Sequence, residues 1–451
     1  MEKTKETIEL EKLKADGLEE FSKKVAKIAD ISNHNNNKII LRGWVYRQRR
    51  TGNKSFIVLR DGTGIVQCVV DKEKVGEEEW KNANDVFVDS VVSITGTVKE
   101  DSRAPSGYEV QVSGLILDFK GEPFPIAKDQ STEFLLDVRH LWVRSQHIIE
   151  ALKMKAALLK ECRSFLDERG FLEIQTPMLT SAAAESGSTV FEVKYFDKKA
   201  YLAQTGQLYS EALIEGYPLV YVFAPSFRAE PSRTPRHLTE FWQLEPEMAF
   251  YDQNMNMKLQ EELIEYALHN LAKKYPDILK KFNRDPKDLL EIKAPFERVS
   301  YTKAIEILKA KGVNIKWGDD IGLDEEKVLV ADYKQPIFLT NFPKELKAFY
   351  MKIDDEDPRT VKAADMLAPE GIGEIIGGSE RIYDYNELIG RIKEQGLTKE
   401  NYEWYLDLRR YGSVPHSGFG MGSERVLRWI LKLETVRDAI PFPRTINRLA
   451  P

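Results

Sequence analysis

The residues best suited to chemistry crowd into fifteen positions, 227 to 241: Phe227-Arg228-Ala229-Glu230, then Arg233, Arg236, His237 and Glu240-Phe241. Arginine presents a planar fork matched to phosphate oxygens, and the Phe241 ring offers a face on which a purine can stack. The same charges would suit an exposed hairpin laced with salt bridges, the ordinary reading of a lone Arg-x-Glu. A second group joins Asp365, Glu374, Glu380 and Arg381 around GEIIGGSER, residues 373–381. Acidic residues beside glycines suit Mg²⁺ held on phosphates, because that ion takes one or two carboxylates plus substrate oxygens and water. Asp365 and Glu374 are the candidate ligands, although a single acidic residue in such a run is more often a surface group. The third group is GFGMGSER, residues 418–425. It falls short of a dinucleotide-binding loop, since Ser423 stands where the third glycine is required and too little chain follows to complete a βαβ unit. A glycine-rich strand running into a helix over 426–433, with Arg425 meeting a ligand, is the better reading. No GxxxxGK[ST] segment occurs. Neither His237 nor His416 has metal-ligand spacing to another histidine, so no zinc is expected.

A different chemistry is suggested by residues 38–60. They hold seven basic residues (Lys38, Arg42, Arg47, Arg49, Arg50, Lys54, Arg60) and no acidic one, interleaved with Trp44, Tyr46 and Phe56. Cations neutralise phosphates and aromatic faces stack unpaired bases, at about 1–3 kcal/mol per stack. A solvated strand face with a core Trp is the plainer alternative. Five short Val/Ile-rich runs between Lys38 and about Phe119 fit a small barrel, and OB barrels bind oligonucleotides on the face of their second and third strands, where Phe56 and Gln67 fall.

Other elements must position the large-domain groups. Ile149, Leu152, Ala156, Leu159, Cys162 and Leu166 recur at helical spacing within 145–169, and Gly170 ends the pattern. Apolar runs at 190–193, 219–223 and 241–250 are separated by turns rather than helices, which favours an antiparallel sheet over a Rossmann-type core. The expected organisation is a charged arm at 1–37 (a solvated helix ending in the Asn-rich loop), an OB barrel at 38–120, a proline-bearing hinge at 121–136, and an α+β domain at 137–451. A Lys-rich helical insertion is expected at about 255–345. Composition agrees with a folded, water-soluble protein: 42% hydrophobic, 31% charged, net charge -6. No run approaches a membrane span, and the charged first residues are unlike a signal peptide, so a cytosolic protein without membrane partners is expected. Two cysteines, Cys68 and Cys162, are too few for a disulfide framework and read as buried hydrophobes.

Together these blocks resemble the three signature motifs of the class II aminoacyl-tRNA synthetases, in the subgroup that charges asparagine, aspartate and lysine. Motif 1 is similar to the helix ending at Gly170-Phe171 with Pro177 beyond it, motif 2 to FRAE through Phe241, and motif 3 to GFGMGSER. The resemblance runs from about Lys38 to Pro451, is weak across 255–345 and does not cover 1–37. It implies an N-terminal OB domain that reads the anticodon, an antiparallel catalytic sheet flanked by helices, ATP and tRNA as partners, Mg²⁺ with the ATP, and a homodimer through motif 1. Aspartate enzymes of the group typically carry QSPQLYKQ, whose lysine meets the substrate carboxylate; here residues 204–211 read QTGQLYSE, with Ser210 in its place. Loss of that cation disfavours an anionic side chain, and Glu245, where those enzymes carry Asp, can accept from a carboxamide NH₂ while Arg381 faces the amide oxygen. The segments DMLAPEGIGEIIGGSER and IPFPRTINRLAP are also similar to the asparagine branch, so asparagine is the expected substrate.

Position by position, the resemblance implies that Glu185 binds the substrate ammonium and Gln207 helps orient it. Arg228 meets the α-phosphate and the amino-acid carboxylate, and Phe241 and Arg425 sandwich the adenine, with Arg425 reaching the γ-phosphate. Glu230, Arg236, His237, Leu238, Gly422 and Glu424 complete the ATP site, His237 with an equal claim to a structural role. Glu374 and Asp365 hold Mg²⁺. Arg228, Arg425 and Glu374 are the expected catalytic residues. On the barrel, Phe56 stacks on the middle anticodon base, with Gln67 and Arg49 hydrogen-bonding around it. The chain departs from the family pattern in ESGS at 185–188, in Ser423, and in Glu380, which stands beside Arg381 and is placed to neutralise it in part. Three rivals remain: a nondiscriminating aspartyl enzyme, an ATP-dependent asparagine synthetase on the same catalytic fold, and a catalytically silent OB-fold nucleic-acid-binding protein. The anticodon barrel argues against the second and the paired Arg228 and Arg425 against the third.

Overall fold

The computed structural model describes residues 2–104, 106–181, 184, 189–232 and 234–451. Two compact units emerge, residues 1–132 and 133–451.

In the first unit, strands β1 (Lys38–Thr51), β2 (Lys54–Arg60), β3 (Ile65–Asp71), β4 (Val91–Glu100) and β5 (Tyr108–Phe119) close a barrel in the order β1-β2-β3-β5-β4. Alternation drives closure: Ser55, Ile57 and Leu59 of β2 point inward, while Phe56, Val58 and Arg60 lie on the outer face. The arm differs from expectation. Residues 5–15 and 18–24 are helices, and Leu10, Phe21, Ile28 and Ile31 are buried. The backbone N–H of Leu115 donates to Thr7 Oγ1 at 3.0 Å, and Arg42 lies over the Phe21 ring. The arm is therefore docked on the barrel rather than solvated. Trp44, conversely, is exposed.

The second unit is built on an eight-stranded sheet ordered β12-β13-β14-β15-β16-β11-β10-β6. The strands are β6 (Leu172–Ile174), β10 (Leu219–Phe227), β11 (Glu240–Ala249), β12 (Glu297–Ser300), β13 (Ile337–Pro343), β14 (Thr360–Ala368), β15 (Gly373–Glu380) and β16 (His416–Gly422). A small sheet, β7-β9-β8, contains β7 (Leu179–Thr180), β8 (Glu192–Tyr195) and β9 (Lys198–Leu202). The central pairings are antiparallel, but β6 joins β10 and β12 joins β13 in parallel, so the sheet is mixed. The segment 255–345 is not purely helical: it supplies β12 and β13 as well as helices such as Gln253–Lys274 and Leu323–Val330.

The expected long helix is Gln146–Asp167, whose N-cap Ser145 accepts from Ile148 N–H, and Gly170 leaves it at a φ of +79°. Its Met154, Leu158 and Phe165 join Leu263 and Leu268 of helix Gln253–Lys274 in one core with Leu244, Met248 and Met421 of the sheet. Burying that face leaves the other free to form a site. Among the described residues, no helix is long and apolar enough to cross a membrane.

Candidate active site

Strand period decides which side chains meet. On β11, Phe241, Gln243, Glu245 and Glu247 share one face and line a cavity of about 460 Å³, while Leu244 and Met248 enter the core behind it. Register then aligns Asp365 of β14 with Gly377 of β15, and Gly377 with Gly420 of β16. A Gly377 Cβ would lie 3.3 Å from Glu374 Oε1 and 3.4 Å from Asp365 Oδ1, so the bare glycine makes room between two carboxylates. Their other oxygens are engaged: Lys347 Nζ donates to Asp365 Oδ2 at 2.5 Å, and Arg425 Nη1 donates to Glu374 Oε2 at 3.0 Å. Two hard oxygen donors facing one gap fit a Mg²⁺ ion.

The electrostatics of this pair are asymmetric. Burial, opposed by Lys347 and assisted by the Glu374 charge, pushes Asp365 up to about 6. For Glu374 burial is outweighed by Arg425, Lys347 and Arg236, which hold its carboxyl down to about 2.

Arg228 follows β10, its backbone N–H bonded to Thr239 O, and its guanidinium carbon lies 5.5 Å from the Phe241 ring centroid. Arg425 stands in the first turn of helix Ser423–Ile430, immediately beyond β16. Both line the same cavity, with Gln207, Glu230, Arg236, His237, Leu238, Phe241, Glu245, Asp365, Glu374, Arg381, Gly422 and Glu424. Glu185 lies outside the described residues, as do 186–188 and Arg233.

Within the cavity several side chains bind other protein groups. Glu424 accepts from Lys155 Nζ at 2.5 Å and from Trp242 N–H at 3.2 Å, which fixes the turn that carries Arg425. Arg236 donates to Glu326, whose carboxyl burial pushes up to about 7 against the arginine's pull. Gly373, at a φ of +80°, lets that carboxylate approach, since a Cβ there would overlap it. Leu238 packs on Val436 and Ile440. His237 Nδ1 contacts the hydroxyls of Ser232 and Thr234, and burial beside Arg425 and Arg236 lowers its pKa to about 4, so the ring is neutral at pH 7.

At the other end, Glu245 accepts from Thr205 Oγ1 and, at 2.9 Å, from Gly206 N–H. Arg381 is held bidentately by Glu247, Nε to Oε1 and Nη2 to Oε2 both at 3.0 Å, and its Nη1 donates to Ser379 Oγ at 2.6 Å. The expected neutraliser, Glu380, instead lies 3.9 Å from Lys362 Nζ, because its side chain falls on the opposite side of the strand from that of Ser379. Glu247, Lys347 and Glu326 were missed in the sequence. Only Glu247 carried a local signal, the period-two alternation of β11.

On the barrel, Arg49 and Phe56 are cross-strand partners, and the Arg49 guanidinium lies 4.7 Å from the Phe56 ring centroid. Gln67, diagonal to Phe56 on the same outer face, donates to Glu109 Oε2 at 3.1 Å. The expected trio thus shares one surface, with an arginine rather than a base on the ring. The rest of the basic run is divided: Arg50 lies over Trp80, and Arg60 pairs with Asp89.

Comparisons with known proteins agree with this geometry. Residues 131–446 match the family described as tRNA synthetases class II (D, K and N), and residues 39–117 match the OB-fold nucleic acid binding domain. The chain is 53% identical over 417 residues to the asparagine–tRNA ligase of Thermococcus kodakarensis, covering 92% of this chain and 96% of that one. It is 47% identical over 414 residues to the Thermoplasma acidophilum counterpart, with the same coverage. Among solved structures, asparaginyl-tRNA synthetase from Pyrococcus horikoshii complexed with asparaginyl-adenylate superposes with a TM-score of 0.90 at 49% identity, covering 93% of this chain and 97% of that one. Aspartyl tRNA synthetase from Entamoeba histolytica gives 0.81 at 28% identity, covering 95% and 93%. With a sheet that brings motifs 2 and 3 to one cavity and a separate OB barrel, the chain belongs to the class II tRNA synthetases of the D, K and N group.

Proposed function

We propose that the protein is an asparagine–tRNA ligase, which activates asparagine with ATP to the adenylate and transfers it to the 3′ end of its tRNA. What carries the reading is the meeting of Arg228 and Arg425, remote in sequence, on a cavity that also holds Glu245 and Arg381, in a chain whose sequence has Ser210 where the aspartate enzymes carry a lysine. The names of the relatives above support the same substrate.

In the first step the asparagine carboxylate attacks the α-phosphorus of ATP and pyrophosphate leaves. No protein nucleophile is required. Arg228 orients the carboxylate against the α-phosphate and offsets the charge that builds on the phosphoryl oxygens. Phe241 and Arg425 hold the adenine between ring and guanidinium, and Arg425 reaches the γ-phosphate. Glu374 and Asp365 would hold Mg²⁺, which when bound neutralises triphosphate charge. Gln207 and Glu185 orient the substrate ammonium, and Glu230, Arg236, His237, Leu238, Gly422 and Glu424 shape the nucleotide site. At the side-chain end, Glu245 accepts from the carboxamide NH₂ and repels a carboxylate, while Arg381 donates to the amide oxygen. On the barrel, Phe56, Arg49 and Gln67 meet the anticodon, Arg49 giving up its place on the ring to a base. The protein acts in the cytoplasm as a two-fold dimer through helix Gln146–Asp167.

ATP/pyrophosphate exchange with asparagine and aspartate in parallel tests the reading. Exchange with asparagine, abolished in Arg228→Ala with the fold intact, is expected. Aspartate activation equal to that of asparagine would favour the nondiscriminating aspartyl alternative.

A further inference from the structure

One buried carboxylate beside the nucleotide cavity has no part in the steps above. Glu326 stands on helix Leu323–Val330, outside the three motifs, and is 5% exposed. Leu329 and Val330 of the same helix share a core with Leu339 of β13 and Leu367 of β14, which fixes the helix against the sheet. Glu326 Oε2 accepts from Arg236 Nη1 and, at 3.1 Å, from the backbone N–H of Glu374. The bare Gly373 makes room for this, since a Cβ there would overlap Oε2 and lie 3.1 Å from Arg236 Nη1. The contacts close a ring: Arg425 Nη1 donates to Glu374 Oε2 at 3.0 Å, and Arg425 Nε donates to Arg236 O at 3.4 Å. Arg236, Glu374 and Arg425 line the cavity, and Glu326 holds two of them.

Two charged side chains face the Glu326 carboxylate, Arg236, which attracts it, and Glu374, which repels it. A carboxylate opposite an arginine could serve merely to neutralise it, and that would weaken the arginine's hold on a phosphate. The hydrogen bonds favour orientation instead. Only Nη1 of the Arg236 guanidinium is engaged; Nε is buried with no partner among the described residues, and Nη2 makes no bond among them. Because the guanidinium is a rigid planar fork, fixing one corner directs the donors that remain.

We infer that Glu326 is a positioning residue for the triphosphate: it holds one corner of the Arg236 guanidinium so that the other donors of that fork meet the phosphates, and it ties Arg236 to the strand that carries Glu374. The inference rests on the nucleotide site proposed above. Since both bonds end on a single oxygen, Oε2, the carboxamide oxygen of a glutamine can accept both with the charge gone. Glu326→Asp does the reverse, keeping the charge but withdrawing it by one methylene. The two variants therefore separate placement from charge.

The test compares wild type, Glu326→Gln and Glu326→Asp in asparagine-dependent ATP/pyrophosphate exchange, with adenosine as a competing probe that shares the base and ribose of ATP but carries no phosphate. Glu326→Asp is expected to raise KM for ATP on the order of tenfold, the worth of one hydrogen bond to a charged group, while KM for asparagine and Ki for adenosine stay at their wild-type values. Glu326→Gln is expected to keep KM for ATP within about twofold of wild type. A Glu326→Gln defect equal to or larger than that of Glu326→Asp would show that charge rather than placement matters, and overturns the inference. A KM for ATP that rises in step with Ki for adenosine marks a merely structural role and overturns it too. Should Glu326→Asp not fold, a crystal structure of the wild type with a nonhydrolysable ATP analogue decides: Arg236 bonded to both Glu326 and a phosphate supports the inference, and an Arg236 that leaves Glu326 or reaches no phosphate overturns it. A wild type without ATP-dependent exchange overturns the proposed function itself. Wild-type exchange together with an unchanged KM for ATP in Glu326→Asp overturns this inference alone.

Discussion

Replacing Lys155 by methionine removes one half of a buried ion pair that ties the long helix Gln146–Asp167 to the turn bearing Arg425. Lys155 Nζ lies 2.5 Å from Glu424 Oε1, and the two side chains are 10% and 3% exposed. Methionine preserves the apolar stem, so the loss is mainly electrostatic. Glu424 would be left with two uncharged donors, Trp242 N–H at 3.2 Å and Ser423 Oγ at 3.1 Å. Removing one partner of a buried pair costs about 3–5 kcal/mol, whereas removing both charges is often nearly neutral. The two remaining donors put Lys155→Met near the lower end, about 3 kcal/mol. Lys155→Met/Glu424→Gln should recover all but about 1 kcal/mol. Urea unfolding followed by tryptophan fluorescence measures both through the midpoint at constant slope. The single variant should also show a raised KM for ATP, because Glu424 orients the first turn of the helix that carries Arg425. A single-variant loss below about 1 kcal/mol, the range of exposed pairs, would refute the reasoning. So would a double variant as unstable as the single.

The bare floor at Gly377 predicts that Gly377→Ala, whose methyl would sit 3.3 and 3.4 Å from the two carboxylate oxygens, raises the Mg²⁺ concentration needed for half-maximal pyrophosphate exchange severalfold. An unchanged Mg²⁺ dependence contradicts it. His237, lowered to about 4 by burial and its arginine neighbours, takes up its proton in the unfolded chain before the folded one. Its contribution to stability is therefore complete above about pH 6.5 and falls as pH drops toward 4. His237→Gln should flatten that part of the stability curve, and an NMR titration of His237 near its ordinary pKa would contradict the prediction. On the barrel, Phe56→Ala should weaken tRNA binding by about 1–3 kcal/mol without altering amino-acid activation; filter-binding affinity and exchange rates measured side by side decide it.

The three segments that line the cavity were legible because their chemistry is local. Arginines, an aromatic residue and glycines are compressed into short runs, and the strand period already separates Gln243, Glu245 and Glu247 from Leu244 and Met248. The partners that hold these groups were not legible. Arg236 with Glu326, Lys347 with Asp365 and Arg409 with Glu211 are pairs made by sheet order and helix docking, and no local pattern encodes them. The N-terminal arm misled for a related reason. Leu10, Phe21, Ile28 and Ile31 are too sparse to give an amphipathic period, yet each finds a buried place on the barrel. Strand β13 was masked in the same way, its apolar run Ile337–Pro343 diluted by surrounding Lys-rich helices.

The central claim is that Arg228 and Arg425 act on one nucleotide. The most direct measurement is a crystal structure with a nonhydrolysable ATP analogue, asparagine and Mg²⁺. The adenine is predicted between Phe241 and Arg425, the α-phosphate at Arg228, and the asparagine side chain at Glu245 and Arg381. A nucleotide bound away from either arginine would contradict the account.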